Sequence, residues 1–173
     1  VLFARIESLY QRRAALGLGA QEQRLIERQY NQFLRAGAKL DEDGKARMKA
    51  INAEMAQLGA RFNQNVLAEV NDSAVIVDSL DELKGLSDEQ ISAAASAAKE
   101  RGLDGKYLIA LLNTTGQPVL AQLENRALRQ RIYEASVVRG SRGNAYDNTA
   151  LVSRVVSLRA ERAKLLGFAT HAD

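Results

Sequence analysis

Residues able to do chemistry are scarce in this chain. Its 173 residues include one histidine, His171, and no cysteine. Thiolate metal sites, cysteine nucleophiles and disulfides are therefore excluded, and so is any metal site that needs two histidines. A Ser–His–Asp triad would need His171, and no Gly-x-Ser-x-Gly elbow accompanies it. His171 reads as a surface or interface residue. Paired carboxylates occur at Asp41/Asp43 and Asp88/Glu89. General acid–base pairs need a dry pocket that drives their pKa values apart. These pairs stand where helices begin, and acids are favoured there by the helix dipole. The run Arg139-Gly140-Ser141-Arg142-Gly143 could meet an anion through two guanidiniums and exposed amides. Its glycines suit better a helix stop followed by a flexible loop. No phosphate-binding glycine fingerprint is present. Asn71-Asp72-Ser73 and Asn113-Thr114-Thr115 match the glycosylation sequon by chance, and Met48 and Met55 read as core filling. No catalytic, cofactor-binding or metal-ligating residue is assigned.

The elements that carry these residues read as mainly α. One proline among 173 residues favours long helices, because proline stops them. Val1 to about Leu16 forms an amphipathic helix on Phe3, Ile6, Leu9, Tyr10 and Leu16, stopped by Gly17-Leu18-Gly19. A second helix covers about Ala20 to Ala36, with Gly37 at its end. Asp41, Glu42 and Asp43 open a long helix to about Val70. Its Met48, Ile51, Met55, Leu58 and Phe62 alternate spacings of three and four, the stripe of coiled-coil-like packing. Its natural partners are the two helices before it, which predicts a three-helix bundle over residues 1–72.

Ala74-Val75-Ile76-Val77 is a β-branched run and reads as a strand. Leu80 to Leu83 forms one helical turn. Ser87 and Gln90 fit a capping box, followed by an alanine-rich helix that runs to about Arg101 and ends at Gly102. Lys106 to Leu112 reads as a second strand, its pairing direction undecided. A small strand–helix–strand subregion thus occupies 73–124. Asn113 to Pro118 is a turn cluster, and a short helical stretch follows at Val119 to Leu123. Asn125 caps a helix to about Arg139. Asp147 or Asn148 caps the last helix, to Leu166 before Gly167. Residues 125–173 form this helical segment, which leads towards a catalytic domain beyond the chain. The termini read as cut: helical periodicity starts at once, with no cap before it. An excised piece of a longer protein is expected, with tag removal as the alternative.

From Lys106 onward the chain resembles a known family. The run Lys106-Tyr107-Leu108-Ile109-Ala110-Leu111-Leu112-Asn113-Thr114-Thr115-Gly116-Gln117-Pro118-Val119-Leu120 carries the resemblance. Asn125-Arg126-Ala127-Leu128-Arg129, then Ala135 and Arg139-Gly140, continue it. Asp147-Asn148 through Leu158-Arg159-Ala160-Glu161-Arg162-Ala163-Lys164-Leu165-Leu166-Gly167-Phe168 completes it, and Arg61 to Leu67 matches an earlier helix. The chain is similar to the non-catalytic N-terminal region of thimet-oligopeptidase-type (neurolysin-like) zinc metallopeptidases, on the peptidyl-dipeptidase branch. That resemblance implies a largely helical, two-lobed parent around a deep channel. It also implies a zinc ion on a His-Glu-x-x-His helix, which activates water, and release of C-terminal dipeptides from short peptides. This chain has no such helix. It is expected to form part of the channel wall and to be inactive alone. No cofactor is assigned to it, and zinc belongs to the parent. The implied partners are short peptide substrates and the missing catalytic domain.

Charge and hydropathy narrow the alternatives. Residues 1–70 carry 11 basic and 8 acidic side chains, residues 71–105 carry 3 and 8, and residues 106–173 carry 10 and 5. An acidic middle between basic arms opposes one continuous basic face, so no nucleic-acid partner is expected. No apolar run approaches the roughly 20 residues of a bilayer span, so no membrane partner is expected. The expected compartment is the cytoplasm, with the periplasm as the other choice. A stand-alone helical interaction module, using the 41–70 helix, is the alternative function.

Overall fold

The computed structural model describes residues 2–112 and 117–173. The turn cluster and sequon at Asn113, Thr114, Thr115 and Gly116 lie outside the described residues, as does the helix start at Val1. Six α-helices and a two-stranded sheet are present among the described residues, in the order α1 Leu2–Arg12, α2 Ala20–Arg35, α3 Glu42–Asp72, β1 Val75–Val77, α4 Asp88–Lys99, β2 Tyr107–Ile109, α5 Arg126–Val137 and α6 Thr149–Leu165. The mainly helical class with one small β element is as the sequence predicts. No described helix is long and apolar enough to cross a membrane.

Two compact units divide the chain, one of residues 1–58 with 153–173 and the other of residues 59–152. Contacts, not composition, set these limits. The end of the chain returns to the first half of α3 within the first unit.

In the first unit α1 packs on α2. Phe3 lies 5.9 Å from Phe33 and Tyr10 lies 4.0 Å from Tyr30, ring centre to ring centre, so the helices run antiparallel. Arg13 sits over the Tyr10 ring at 4.0 Å. Lys39 stands over the Tyr30 ring at 5.5 Å and pairs with Glu7 at 2.9 Å, and Tyr30 first, then Glu7, hold its ammonium well above the usual lysine range. Helix α3 starts where Asp41 Oδ1 accepts from the Gly44 amide at 2.8 Å. Met48 and Ile51 are buried. The partner that sequence reasoning did not name is α6. Arg47 pairs with Glu161, and Glu54 with Arg154, each through two hydrogen bonds of 2.5–2.8 Å. One pair steps forward seven residues on α3 while the other steps back seven on α6, so the two helices are antiparallel.

In the second unit β1 and β2 pair antiparallel, with Val75 opposite Ile109 and Val77 opposite Tyr107. Val75, Val77 and Ile109 join Leu83, Leu111, Leu123, Leu128 and Ile132 in one apolar core. Leu128 and Ile132, four apart on α5, supply its helical wall. Leu108 is buried outside that cluster, where α4 packs on β2 with Ala94 and Ala98 buried. A two-stranded sheet is marginal by itself, and these helices make it stable. Helix α4 begins at the expected box: Gln90 N–H donates to Ser87 Oγ at 3.3 Å, and Ser87 N–H donates to Gln90 Oε1 at 2.9 Å.

Candidate functional site: a buried carboxylate holding the α5–α6 loop

The apolar stripe of α3 changes character as it enters the second unit. The spacing that runs through Leu58 and Phe62 continues to Asn65 and Glu69, both buried, whereas Phe62 is exposed. A buried carboxylate must find charge and donors, since losing water costs it several kcal/mol. Glu69 is 2% exposed and finds them in the loop between α5 and α6. Arg142 Nε donates to its Oε1 at 2.6 Å, and the Gly140 amide reaches the same oxygen at 3.4 Å. Asn144 Nδ2 donates to Oε2 at 3.1 Å. Arg142 also pairs with Asp72. One turn on, Ser73 Oγ donates to the Glu69 carbonyl at 2.6 Å and closes the end of α3.

The loop is tied internally as well. Asp147 Oδ2 accepts from the Gly143 amide at 2.7 Å, and its Oδ1 accepts from the Thr149 amide at 2.8 Å. Of the two residues expected to cap α6, Asp147 thus caps its first amide. Asn148 serves the other side: its Oδ1 accepts from Asn65 Nδ2 at 2.9 Å and its Nδ2 donates to the Phe62 carbonyl at 3.4 Å. The Asn148 amide donates to the Gly140 carbonyl at 2.7 Å.

Electrostatics follow from these contacts. The Arg142 guanidinium holds the Glu69 carboxyl below its usual range; burial opposes this, and Asn144 and the Gly140 amide add to it. Arg142 is raised in turn, first by Glu69. Hydrogen bonds from the Thr149 and Gly143 amides lower Asp147. Both Glu69 oxygens are occupied and the carboxyl stays ionised, so it fits a general acid poorly. The arrangement positions the loop and the start of α6.

The other chemistry-bearing residues are dispersed. The arginine–glycine run does bind an anion, but that anion is the chain's own Glu69. Arg139, the first arginine of the run, donates instead to the Leu111 carbonyl. Asp41 caps α3, and Asp88 and Glu89 stand in the first turn of α4. Asn71 accepts from Arg101 through its carbonyl at 2.7 Å and its Oδ1 at 3.1 Å. His171 lines a shallow cavity of about 110 Å³ with Arg35, Arg162 and Phe168. Among the described residues no three His, Cys, Asp or Glu side chains are grouped to hold a metal ion. Sequence reading missed Glu69. The signal was available in the helix stripe, which reaches 65 and 69 at unbroken spacing but with polar residues.

Comparison with known proteins shows what this scaffold is similar to. Residues 119–173, which hold α5, the loop and α6, match the family model described as Peptidase family M3. Over 171 residues, 99% of the chain, it is 43% identical to the dipeptidyl carboxypeptidase of Escherichia coli strain K12. It is 44% identical, over the same length, to the dipeptidyl carboxypeptidase of Salmonella typhimurium. The probable cytosolic oligopeptidase A of Arabidopsis thaliana is 32% identical over 90% of the chain. The chain is thus similar to M3 peptidases along nearly its whole length, and the resemblance read from its motifs is borne out. It spans about a quarter of the dipeptidyl carboxypeptidases it matches, 25% of each.

Proposed function

We propose that this chain is the N-terminal helical region of a zinc-dependent peptidyl-dipeptidase, an enzyme that releases C-terminal dipeptides from oligopeptides. The observation that carries the reading is identity of 43% over 99% of the chain to a dipeptidyl carboxypeptidase only a quarter of whose length it spans. In this reading the chain forms part of the wall of a substrate channel. The Glu69–Arg142 pair keeps the α5–α6 loop in shape. Zinc and the hydrolytic groups are carried by the remainder of the parent, which is also this region's structural partner. Short peptides are the substrates. The parent resides in the cytoplasm, with the periplasm as the alternative.

The test is to express the reading frame beyond the Asp173 codon and assay dipeptide release. The long protein is expected to release C-terminal dipeptides, to lose activity with a chelator and to regain it with zinc. The 173-residue chain alone is expected to release none. A long protein that folds yet releases no dipeptide, with or without zinc, would overturn the reading.

A further inference from the structure

Helix α5 buries one side and leaves an apolar edge uncovered. Leu128 and Ile132 are fully buried, whereas Tyr133 and Val137 are each 58% exposed. The outer line Arg126, Gln130, Tyr133, Val137 follows helical spacing. It is polar at the start of α5 and apolar at the end. Two more exposed apolar side chains come to that end. Val138 follows directly, and Leu112 follows Leu111, whose carbonyl accepts from Arg139. Gln117 Nε2 donates to Ser136 Oγ, on the same turn of α5, at 3.1 Å.

Single exposed apolar residues are ordinary, but four from two segments meeting at one helix end mark a surface that something covers. The occupant is indicated by where the likeness to M3 peptidases lies. The family model matches from residue 119, so α5 is part of the matched region, and the relatives are about four times longer than this chain. We propose that Leu112, Tyr133, Val137 and Val138 form the face on which the remainder of the peptidase docks. This rests on the function proposed above.

The chain has no cysteine, which allows a direct test. Val137→Cys and, as a control on the exposed side of α4, Ser96→Cys are each placed in this chain and in the long protein, with other cysteines of the long protein replaced by serine. N-ethylmaleimide labelling rates are compared. The Val137→Cys thiol is expected to label readily in this chain and about tenfold more slowly, or slower still, in the long protein, the factor set by how rarely the interface opens. The Ser96→Cys thiol is expected to label alike in both. Equal labelling at 137 in both proteins overturns the docking face, and so does equal slowing at 96. Protection at 137 in this chain that vanishes on dilution assigns the face to a second copy and also overturns it. Dipeptide release is assayed separately. An active long protein with an open 137 rejects the face and keeps the function, whereas an inactive one with a protected 137 does the reverse.

Discussion

Glu69 and Arg142 are 73 residues apart in the chain and 2.6 Å apart in the fold. Glu69 lies on the last turn of α3, and Arg142 in the loop that joins α5 to α6. The pair converts a glycine-rich segment into a loop of one shape, because the same carboxylate also takes the Gly140 amide and Asn144.

Removing that carboxylate is expected to destabilise the protein. Glu69→Ala leaves Arg142 and Asn144 short of their acceptor. Arg142 is 28% exposed, so water recovers part of the loss. The expected cost is about 2–3 kcal/mol, below that of a fully buried pair. Glu69→Gln, which keeps an acceptor, is expected to cost about 1–2 kcal/mol. Urea unfolding followed by circular dichroism measures both. A loss below about 0.5 kcal/mol for the alanine variant, the usual range for surface positions, would contradict the assigned role.

Stability is expected to fall in acid. Glu69 and Asp147 ionise more readily folded than unfolded, as do Glu54 and Glu161 beside their arginines and Asp78 beside Lys106. Groups with depressed folded pKa values contribute fully above their unfolded values, near 4, and the contribution is lost as pH falls through the folded ones. The urea midpoint is therefore expected to hold level for these groups between about pH 6 and 8 and to drop below about pH 4. Glu69→Gln is expected to flatten that drop. An equal slope in the variant would show that Glu69 carries none of it.

The α3–α6 register is expected to respond to charge order. Arg47 faces Glu161, and two turns away Glu54 faces Arg154, so the polarity reverses along the seam. Arg47→Glu places like charges opposite each other and is expected to lower the melting temperature. Adding Glu161→Arg is expected to restore it. Both pairs are exposed, so the effect is small and shrinks at high salt. A double variant no more stable than the single one would reject the pairing.

Gly85 is expected to tolerate no side chain. Its φ is +97°, and an added Cβ would stand 2.0 Å from the Gln122 carbonyl oxygen. The next strand of chain is held there by the Glu124 amide, which donates to the Lys84 carbonyl at 2.9 Å. Gly85→Ala is expected to cost about 3 kcal/mol or more, from strain and from the shifted backbone. Gly102, with φ +70° and open space around it, is the comparison. Gly102→Ala is expected to cost about 1–2 kcal/mol, the price of the left-handed conformation alone. Thermal unfolding of the two variants checks the difference.

What the sequence determined by itself was the local structure. Ser87 with Gln90, Asn125 before α5, Asp41 before α3 and the β-branched run at Val75 act within about four residues of themselves. Their reading needs no knowledge of the rest of the chain. The family likeness was legible for a related reason, since its motifs are contiguous runs. Tertiary structure decided the antiparallel direction of β1 and β2, the choice of α6 as a partner for α3 and the meeting of Glu69 with Arg142. In each case the partners lie about 30 to more than 100 residues apart. Propensity and periodicity say which face of an element is to be buried, but not what will cover it. The stripe on α3 shows the limit: its spacing points Asn65 and Glu69 inward, and only the folded loop supplies the arginine and amides that make a buried carboxylate tolerable.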